Sequence, residues 1–223
     1  DDRLHLRVSI QPFEPGDPFE PVAPDGALEY YGGALRIRDA AGATVADQLP
    51  PREYREHFGE VTETWSYLKF PYYRPAGLAG GVYRVGPLAR LNVCDYIPTP
   101  RADAERVRFR ALAGGQPVHN PFHYHYARLI EILFAIEQIE RLLHDPAILG
   151  THVRAQAMVN ATEGVGCCEA PRGVLFHHYM VDGNGVLQRV NMLIATAQNN
   201  LAMNATVLAL AKRYLDGATI TEG

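Results

Sequence analysis

The sequence predicts a predominantly helical α+β fold, in which long helices are combined with two small antiparallel hairpins. Apolar residues recur at steps of three, four and seven along residues 120–145, which is the period of an amphipathic helix. Residues 34–47 and 174–196 alternate apolar and polar side chains on both sides of a short turn, which is the pattern of a hairpin. With 223 residues, of which 47% are apolar, the chain can bury a sizeable core as one large domain or two small ones.

The first 26 residues are predicted to be a separate proline-rich segment. Residues 11–26 contain five prolines and two glycines. Because proline lacks an N–H donor, this density opposes regular secondary structure and indicates a linker or a surface loop. We therefore divide the chain into an N-terminal segment at 1–26 and one domain at 27–223.

The first hairpin is predicted to be followed by an irregular segment and then by a long helix. Its strands are predicted at 34–39 and 43–47. Residues 71–100 are rich in proline, glycine and aromatic residues, so we expect an ordered but irregular segment. The helix is predicted from near Asn120 to Asp145, just before a proline. We expect this helix to be mostly core, packed through its apolar positions Phe122, Tyr126, Leu129, Leu133, Ile136 and Leu143.

The C-terminal third is predicted to contain a helix, a hairpin and a further helix. A second helical stretch is predicted at 147–159, and the second hairpin at 174–196 has a glycine-rich turn. The last helix is predicted at 200–215, with Asn199 or Asn200 as its N-cap.

Composition and charge argue against several kinds of partner and location. The net charge of −4 and the pI near 6.1 argue against nucleic acid, because phosphate recognition is usually carried by clustered lysines and arginines. No run of about eighteen apolar residues offers a membrane span. Three cysteines are too few for a disulfide framework and no secretory signal is visible, so we expect a cytoplasmic location. Because the chain does not begin with methionine, we expect a processed or excerpted piece.

Two groups of histidines are candidates for metal binding. His119, His123 and His125 lie close together at the start of the long predicted helix, but no carboxylate or thiolate lies near them in sequence. Hydrogen-bonded polar histidines are therefore the favoured interpretation. His177 and His178 are adjacent on a predicted strand, so they point to opposite faces and are expected to be structural.

The stretch from Cys167 to Arg172 offers two further candidates. A thiolate of Cys167 or Cys168 beside a guanidinium could act as a nucleophile, but no general base is in register, and small buried apolar residues are the favoured interpretation. Arg172 follows Pro171 at a stiffened bend, where its guanidinium can be held at a cavity as a fixed donor and cation. An ion pair with Glu163 or Glu169 is the alternative, and the residues alone leave both open.

Four long stretches of the chain form a recognisable set of motifs. They read ETWSYLKFPYYRPAGLAGGVYRVGPLARLNVCDYIPTP, FHYHYARLIEILFAIEQIE, EGVGCCEAPRGVLFHHY and VNMLIATAQNNLAMNATV. The set resembles the large subunit of [NiFe]-hydrogenases, most closely the cytoplasmic bidirectional NAD-reducing group. The resemblance covers roughly residues 25 to 223 and implies that the chain forms part of a larger fold of the large-subunit type.

The resemblance implies a catalytic subunit that interconverts H2 with protons and electrons at a buried Ni–Fe centre. In the family, four cysteine thiolates hold the metals, and the iron carries CN and CO ligands. By resemblance, Arg172 is the catalytic residue, which projects over the open coordination positions and assists H2 polarisation. The implied cofactor-binding residues are Pro171, which lines the pocket of the diatomic ligands, Thr196, whose hydroxyl donates to a cyanide, and Ala195 beside it. No residue of this chain is implied as a metal ligand.

Partner subunits are also implied. Electrons are expected to pass through an iron–sulfur small subunit to diaphorase subunits, which hold iron–sulfur clusters, flavin and NAD, so that the assembly is an H2:NAD oxidoreductase. NAD is not expected on this chain, because no GxGxxG motif follows a predicted strand.

The chain lacks both cysteine motifs of the family. Neither an N-terminal RxCGxCxxxH nor a C-terminal DPCxxCxxH is present, and Cys94, Cys167 and Cys168 do not match those positions. Two hypotheses follow. Either the chain is an excerpt of a larger nickel–iron subunit, or it is a metal-free structural or interaction subunit related to the quinone-side subunit of respiratory complex I.

Overall fold

The computed structural model describes residues 6–10, 26–31, 34–151 and 161–215. The predicted linker at 11–26 therefore lies outside the described residues except for its last glycine, and so does most of the predicted helix at 147–159. In the described part, the helices are α1 (Tyr54–His57), α2 (Gly77–Gly80), α3 (Pro87–Val93), α4 (Pro100–Ala111), α5 (His123–Leu143) and α6 (Ala195–Tyr214). The strands are β1 (Leu6–Ile10), β2 (Leu35–Arg38), β3 (Thr44–Leu49), β4 (Phe58–Thr62), β5 (Lys69–Tyr73), β6 (Tyr83–Arg84), β7 (Glu163–Ala170), β8 (Gly173–Val181) and β9 (Leu187–Leu193).

The strands form three separate sheets. The first has the order β3-β2-β1-β6, in which β1 is antiparallel to β2 and parallel to β6. The second is the antiparallel pair β4-β5, and the third is the antiparallel sheet β7-β8-β9. The fold is therefore mixed α+β, and the prediction of a predominantly helical chain with two small hairpins is wrong in its proportions. Both predicted hairpins are confirmed, as β2-β3 and β8-β9, but each is extended by further strands.

The segment at 71–100 is more regular than predicted. It contains the end of β5, then α2, β6 and α3. Pro87 and Pro100 occupy the first positions of α3 and α4, where the N–H that proline lacks has no partner within the helix. These prolines start helices, whereas the composition had indicated irregular structure.

The two long helices were predicted with different success. α5 matches the predicted helix within a few residues at each end. α6 begins at Ala195, several residues before the predicted start, so Asn199 and Asn200 lie inside the helix and do not cap it. Beyond α5, only a single 3-10 turn at Pro146–Leu149 is described in place of the second helical stretch.

Two hydrophobic clusters hold these elements together. The sheet cluster joins β2, α1, β4, β5, β6, β8, β9 and the first residue of α6, and its buried members include Tyr54, Phe58, Tyr83 and Phe176. The helical cluster joins α3, α4 and α5 through Leu88, Leu91, Cys94, Phe109, Ala127, Ile130 and Phe134. α3 packs beside the first sheet and against α5, so it links the two clusters.

α5 buries a different face from the one predicted. Its buried residues are Ala127, Ile130, Glu131 and Phe134. Most of the apolar positions expected in the core are exposed, namely Phe122, Leu129, Ile136 and Leu143. The helix is therefore core on one side only, and its other apolar side is uncovered by the described residues. None of the described helices is long and apolar enough to cross a lipid bilayer.

Candidate functional site

Arg172 lies at the tip of the β7-β8 hairpin. Ala170 pairs with Gly173, so Pro171 and Arg172 form the two-residue turn between the strands. Gly173 has a φ of +134°, and a Cβ there would lie 2.3 Å from Cγ2 of Val85. This close approach requires glycine, and it presses the turn against the segment that leads into α3.

The acidic residues proposed as ion-pair partners of Arg172 are occupied elsewhere. Glu169 accepts from Nη1 of Arg90 at 2.8 Å. Glu163 accepts from Nε2 of His178 at 2.7 Å. Among the residues that the structure describes, none forms an ion pair with Arg172. The geometry therefore favours the interpretation of Arg172 as a cation held at a cavity.

A cavity of about 420 Å³ opens beside this turn. Its wall is built by the tip of the β7-β8 hairpin, α6 as far as Val207, the start of α5, the end of β6 and the start of α3. The lining residues are Arg84, Pro87, Pro121, Tyr124, Arg128, Arg172, Thr196, Asn199, Ala202, Met203, Thr206 and Val207.

The cavity is strongly cationic. Arg84, Arg128 and Arg172 line it, and no Asp or Glu is among its lining residues. Nη2 of Arg84 donates to the Thr206 hydroxyl at 3.2 Å, and the Arg128 guanidinium lies over the Tyr124 ring at 5.8 Å from its centre. Because guanidinium groups stay charged at all ordinary pH values, the cavity suits an anionic or electron-rich ligand.

The structure brings two of the four predicted site residues to this cavity. Arg172 and Thr196 both line it. Pro171 is next to Arg172 in the turn, and its carbonyl accepts from Nη2 of Arg90 at 3.3 Å. Ala195 is buried in the sheet cluster and does not line the cavity. The roles assigned to all four remain predictions.

Three of the lining residues that were not predicted from the sequence carry a charge or an amide. Arg84, Arg128 and Asn199 come from β6, α5 and α6, and no local motif connects them. Asn199 was interpreted as a helix cap, yet its Oδ1 accepts from the Val85 N–H at 2.9 Å and its Nδ2 lies 3.5 Å from the Arg172 carbonyl oxygen. It thus links α6 to the turn and to the segment that leads into α3.

The lining residues offer no metal ligand of the usual kind, since they include no cysteine, histidine or carboxylate. Burial raises the pKa of the Cys94 thiol to about 12, and it also raises the pKa values of Cys167 and Cys168. These thiols are protonated at neutral pH, which agrees with their interpretation as small apolar residues. One cluster of possible ligands lies outside the cavity, at Glu53, Glu56 and His57.

The contacts of three of these histidines agree with their predicted structural roles, whereas Nδ1 of His123 is buried without a hydrogen-bond partner among the described residues. His178 is buried, and its ring contacts the Tyr54 hydroxyl at 3.1 Å and Glu163 at 2.7 Å. His177 contacts the Tyr179 hydroxyl at 2.7 Å, and Nε2 of His119 contacts the Ala40 carbonyl at 2.8 Å. The His123 ring packs edge-on against Phe109.

Comparison with known proteins identifies relatives of the chain. No family model matches it. It is 43% identical over 205 residues to the NAD-reducing hydrogenase HoxS subunit beta of Cupriavidus necator, a match that covers 91% of this chain and 42% of that protein. A solved NAD+-reducing [NiFe]-hydrogenase in the H2-reduced state matches the fold with a TM-score of 0.85 and 38% identity, over 98% of this chain and 46% of that one. The chain is related to [NiFe]-hydrogenase subunits.

Other hydrogenases match over a similar share of their length. A subunit of the F420-non-reducing hydrogenase vhu of Methanococcus voltae is 41% identical over 188 residues, which cover 84% of this chain and 44% of that protein. A [NiFeSe] hydrogenase from Desulfovibrio vulgaris Hildenborough shares the fold alone, with a TM-score of 0.57 and 18% identity over 87% of this chain and 42% of that one. The chain thus spans less than half the length of the hydrogenase subunits that it matches.

Proposed function

We propose that this chain is part of the nickel–iron catalytic subunit, the large subunit, of a hydrogenase that interconverts H2 with protons and electrons. The observation that carries the proposal is the meeting of Arg172 and Thr196 at one cationic cavity, in a chain related to hydrogenase subunits. Partner subunits would pass the electrons to NAD, a proposal that rests on the NAD-reducing relatives.

The cavity residues suit the surroundings of a Ni–Fe centre that carries CN and CO ligands. When bound, such a centre supplies the metals that bind and split H2. The donors around the cavity are the guanidiniums of Arg84, Arg128 and Arg172, the Thr196 hydroxyl and the Asn199 amide. All of them can donate hydrogen bonds to an anionic group, and they orient and tune such a group without ligating a metal. The four thiolates would come from polypeptide that this chain does not span.

Arg172 has the properties that the reaction requires. Splitting H2 into unlike charges builds up negative charge on one hydrogen, and a fixed cation beside it lowers the barrier. The guanidinium stays protonated, so its contribution does not depend on pH in the physiological range. No carboxylate among the described residues neutralises it. Thr196 contributes a hydroxyl from the first turn of α6, where it can donate to a cyanide.

Exposed apolar side chains support the proposal that residues 27–223 belong to a larger domain. Uncovered positions run along both long helices, at Leu129, Ile132, Ile136, Ile139 and Leu143 of α5 and at Met203, Val207, Leu208 and Leu210 of α6. Apolar faces of this size usually pack against further polypeptide. We propose that the part of the large subunit that this chain does not span covers them. The predicted separate segment at 1–26 includes β1, which pairs with β2 and β6, so only residues 11–26 are proposed as a proline-rich linker.

The proposed partners follow from the relatives. They are diaphorase subunits that hold iron–sulfur clusters, flavin and NAD, together with an iron–sulfur small subunit, in a cytoplasmic complex. The names of the relatives support the NAD-reducing assignment, since one belongs to an NAD-reducing hydrogenase and another is an NAD+-reducing [NiFe]-hydrogenase.

Metal analysis of the complete gene product in its native complex tests the proposal. We expect nickel and iron in equal amounts in this subunit, together with H2-dependent reduction of NAD by the complex. A complete subunit that contains neither metal would reject the catalytic assignment and favour the metal-free structural subunit related to respiratory complex I.

A further inference from the structure

Arg90 of α3 is a buried guanidinium whose five N–H donors are all used. Nε and Nη2 donate to the two oxygens of Glu131 at 2.6 and 2.8 Å, and Nη1 donates to Glu169 at 2.8 Å. The two remaining donors bind main-chain oxygens, Nη1 to the Ala170 carbonyl at 3.0 Å and Nη2 to the Pro171 carbonyl at 3.3 Å. The side chain is 1% exposed. A guanidinium presents five donors in a rigid fork, and here the protein satisfies all of them.

Those two carbonyls belong to the residues directly before Arg172. The next carbonyl, that of Arg172 itself, lies 3.5 Å from Nδ2 of Asn199. On the same side, a Cβ on Gly86 would lie 2.8 Å from the Arg172 carbonyl oxygen, so the backbone there is in close contact with the turn. Three successive carbonyls around the hairpin tip are therefore held or closely packed, and Arg90 supplies the two charged hydrogen bonds among them.

Arg90 is paired with both carboxylates of the network under the turn. Burial disfavours the charge of Arg90, but Glu169 and Glu131 favour it more, so the pKa of Arg90 lies above its ordinary value. Glu169 has a side chain that is 0% exposed, and Glu131 one that is 10% exposed. The ring of Tyr30 lies 5.6 Å from the Arg90 guanidinium carbon. Removing the guanidinium would take its charged hydrogen bonds away from both carboxylates at once, so the turn is anchored to a rigid group.

We propose that Arg90 is a positioning residue for the hydrogenase site: it holds the carbonyls of Ala170 and Pro171 and thereby fixes where the Arg172 guanidinium lies in the cavity. Arg90 does not line the cavity, so it acts through the turn. The importance of this position for turnover rests on the proposed function. The claim that Arg90 holds the turn is independent of the proposed function.

The test compares Arg90→Lys with Arg36→Lys in the complete subunit within its native complex. Lysine keeps the charge of Arg90 but offers a single nitrogen, which cannot reach two carboxylates and two carbonyls together. Arg36 is a suitable control, because it is also buried and paired, and its described hydrogen bonds go to Asp47, Asp95 and the Val93 carbonyl. Three quantities are measured: amide hydrogen exchange of the peptide at 166–176, nickel content, and H2 oxidation per nickel.

In Arg90→Lys, we expect exchange of the 166–176 peptide to become about tenfold faster or more, since the hairpin tip opens locally at lower cost. We also expect H2 oxidation per nickel to fall about tenfold or more, which corresponds to about 1.4 kcal/mol in the barrier. Arg36→Lys should change neither quantity. If Arg90→Lys does not fold, a triple variant is measured in the same way. It combines Arg90→Gln, Glu131→Gln and Glu169→Gln, so the buried charges are removed together.

Two results would overturn the inference. Unchanged exchange at 166–176 would show that Arg90 does not hold the turn. Faster exchange with unchanged H2 oxidation per nickel would show that the hold does not set the position of Arg172 for turnover. A complete subunit without nickel would reject the proposed function alone, and in that protein the exchange experiment still decides whether Arg90 fixes the turn.

Discussion

Arg90 and Glu169 form an ion pair of 2.8 Å whose side chains are 1% and 0% exposed. The pair lies directly beneath the turn that carries Arg172, and it occupies a carboxylate that Arg172 could otherwise have bound. The consequence for the site is that no described carboxylate compensates the charge of Arg172 at the cavity. The turn lies on a buried network in which all five donors of the Arg90 guanidinium are used.

Replacing Arg90 should lower the free energy of unfolding more than replacing Glu169. Arg90→Met removes the charged hydrogen bonds of two buried carboxylates, and we expect the free energy of unfolding to fall by about 3–5 kcal/mol. Glu169→Gln leaves the pair of Arg90 and Glu131 intact, so a loss of about 2 kcal/mol is expected. Thermal and urea unfolding of the complete subunit would measure both. A loss for Glu169→Gln as large as that for Arg90→Met would contradict this account of the network.

Asp95 is expected to make stability depend on acid pH. Burial raises its pKa, but hydrogen bonds from Arg36 and Arg38 lower it more, so the pKa lies below its ordinary value. A carboxyl of this kind stabilises the fold above its unfolded pKa of about 3.9, and that contribution is lost as the pH falls through the folded pKa. Asp95→Asn should therefore lower the melting temperature at pH 7, and the difference from the native protein should shrink towards pH 3. A difference that stays constant over this range would contradict the assigned role.

The positive charge of the cavity can be tested on α5. Arg128 lines the cavity, whereas Arg141 is exposed on the same helix, away from the cavity. We expect Arg128→Gln to lower H2 oxidation about tenfold, equivalent to about 1.4 kcal/mol, because the cavity loses one of its three cations. Arg141→Gln should leave turnover unchanged. Equal turnover in the two variants would show that the charge of Arg128 does not act on the site.

Thr196 is predicted to act through its hydroxyl. Thr196→Ser keeps the donor and Thr196→Val removes it at nearly constant volume. A hydrogen bond to a charged group contributes about 1.5–3 kcal/mol, so we expect turnover to fall by one to two orders of magnitude in Thr196→Val and to stay close to the native value in Thr196→Ser. If both variants behave alike, the methyl group or the helix start matters and the hydroxyl does not.

Local periodicity predicted the elements whose pattern is complete within a short stretch. The β2-β3 and β8-β9 hairpins and the helix α5 were found this way. β7 was missed because its glycines and cysteines give no clear alternation, and β6 was missed because it is only two residues long. The short helix α3 was hidden by its first residue, Pro87, which in isolation indicates a break.

The site was only partly predictable, for a physical reason. Arg172 could be identified from its stiffened bend and from the resemblance of the surrounding motif. Arg84 and Arg128 become site residues only because β6 and α5 meet the hairpin tip in three dimensions. The choice between a cavity role for Arg172 and a pair with Glu169 also needed the structure, since it depends on the position of Arg90 in a distant helix.

The central claim is that a fixed cation at the hairpin tip acts on H2, and Arg172→Lys in the complete hydrogenase tests it most directly. Lysine keeps the charge but loses the planar fork, so H2 oxidation should fall by about a hundredfold or more, or about 2.7 kcal/mol, while nickel and iron contents are retained. Arg213→Lys, at an exposed position near the end of α6, is the matched control and should have native turnover. Native H2 oxidation in Arg172→Lys, with both metals present, would contradict the account.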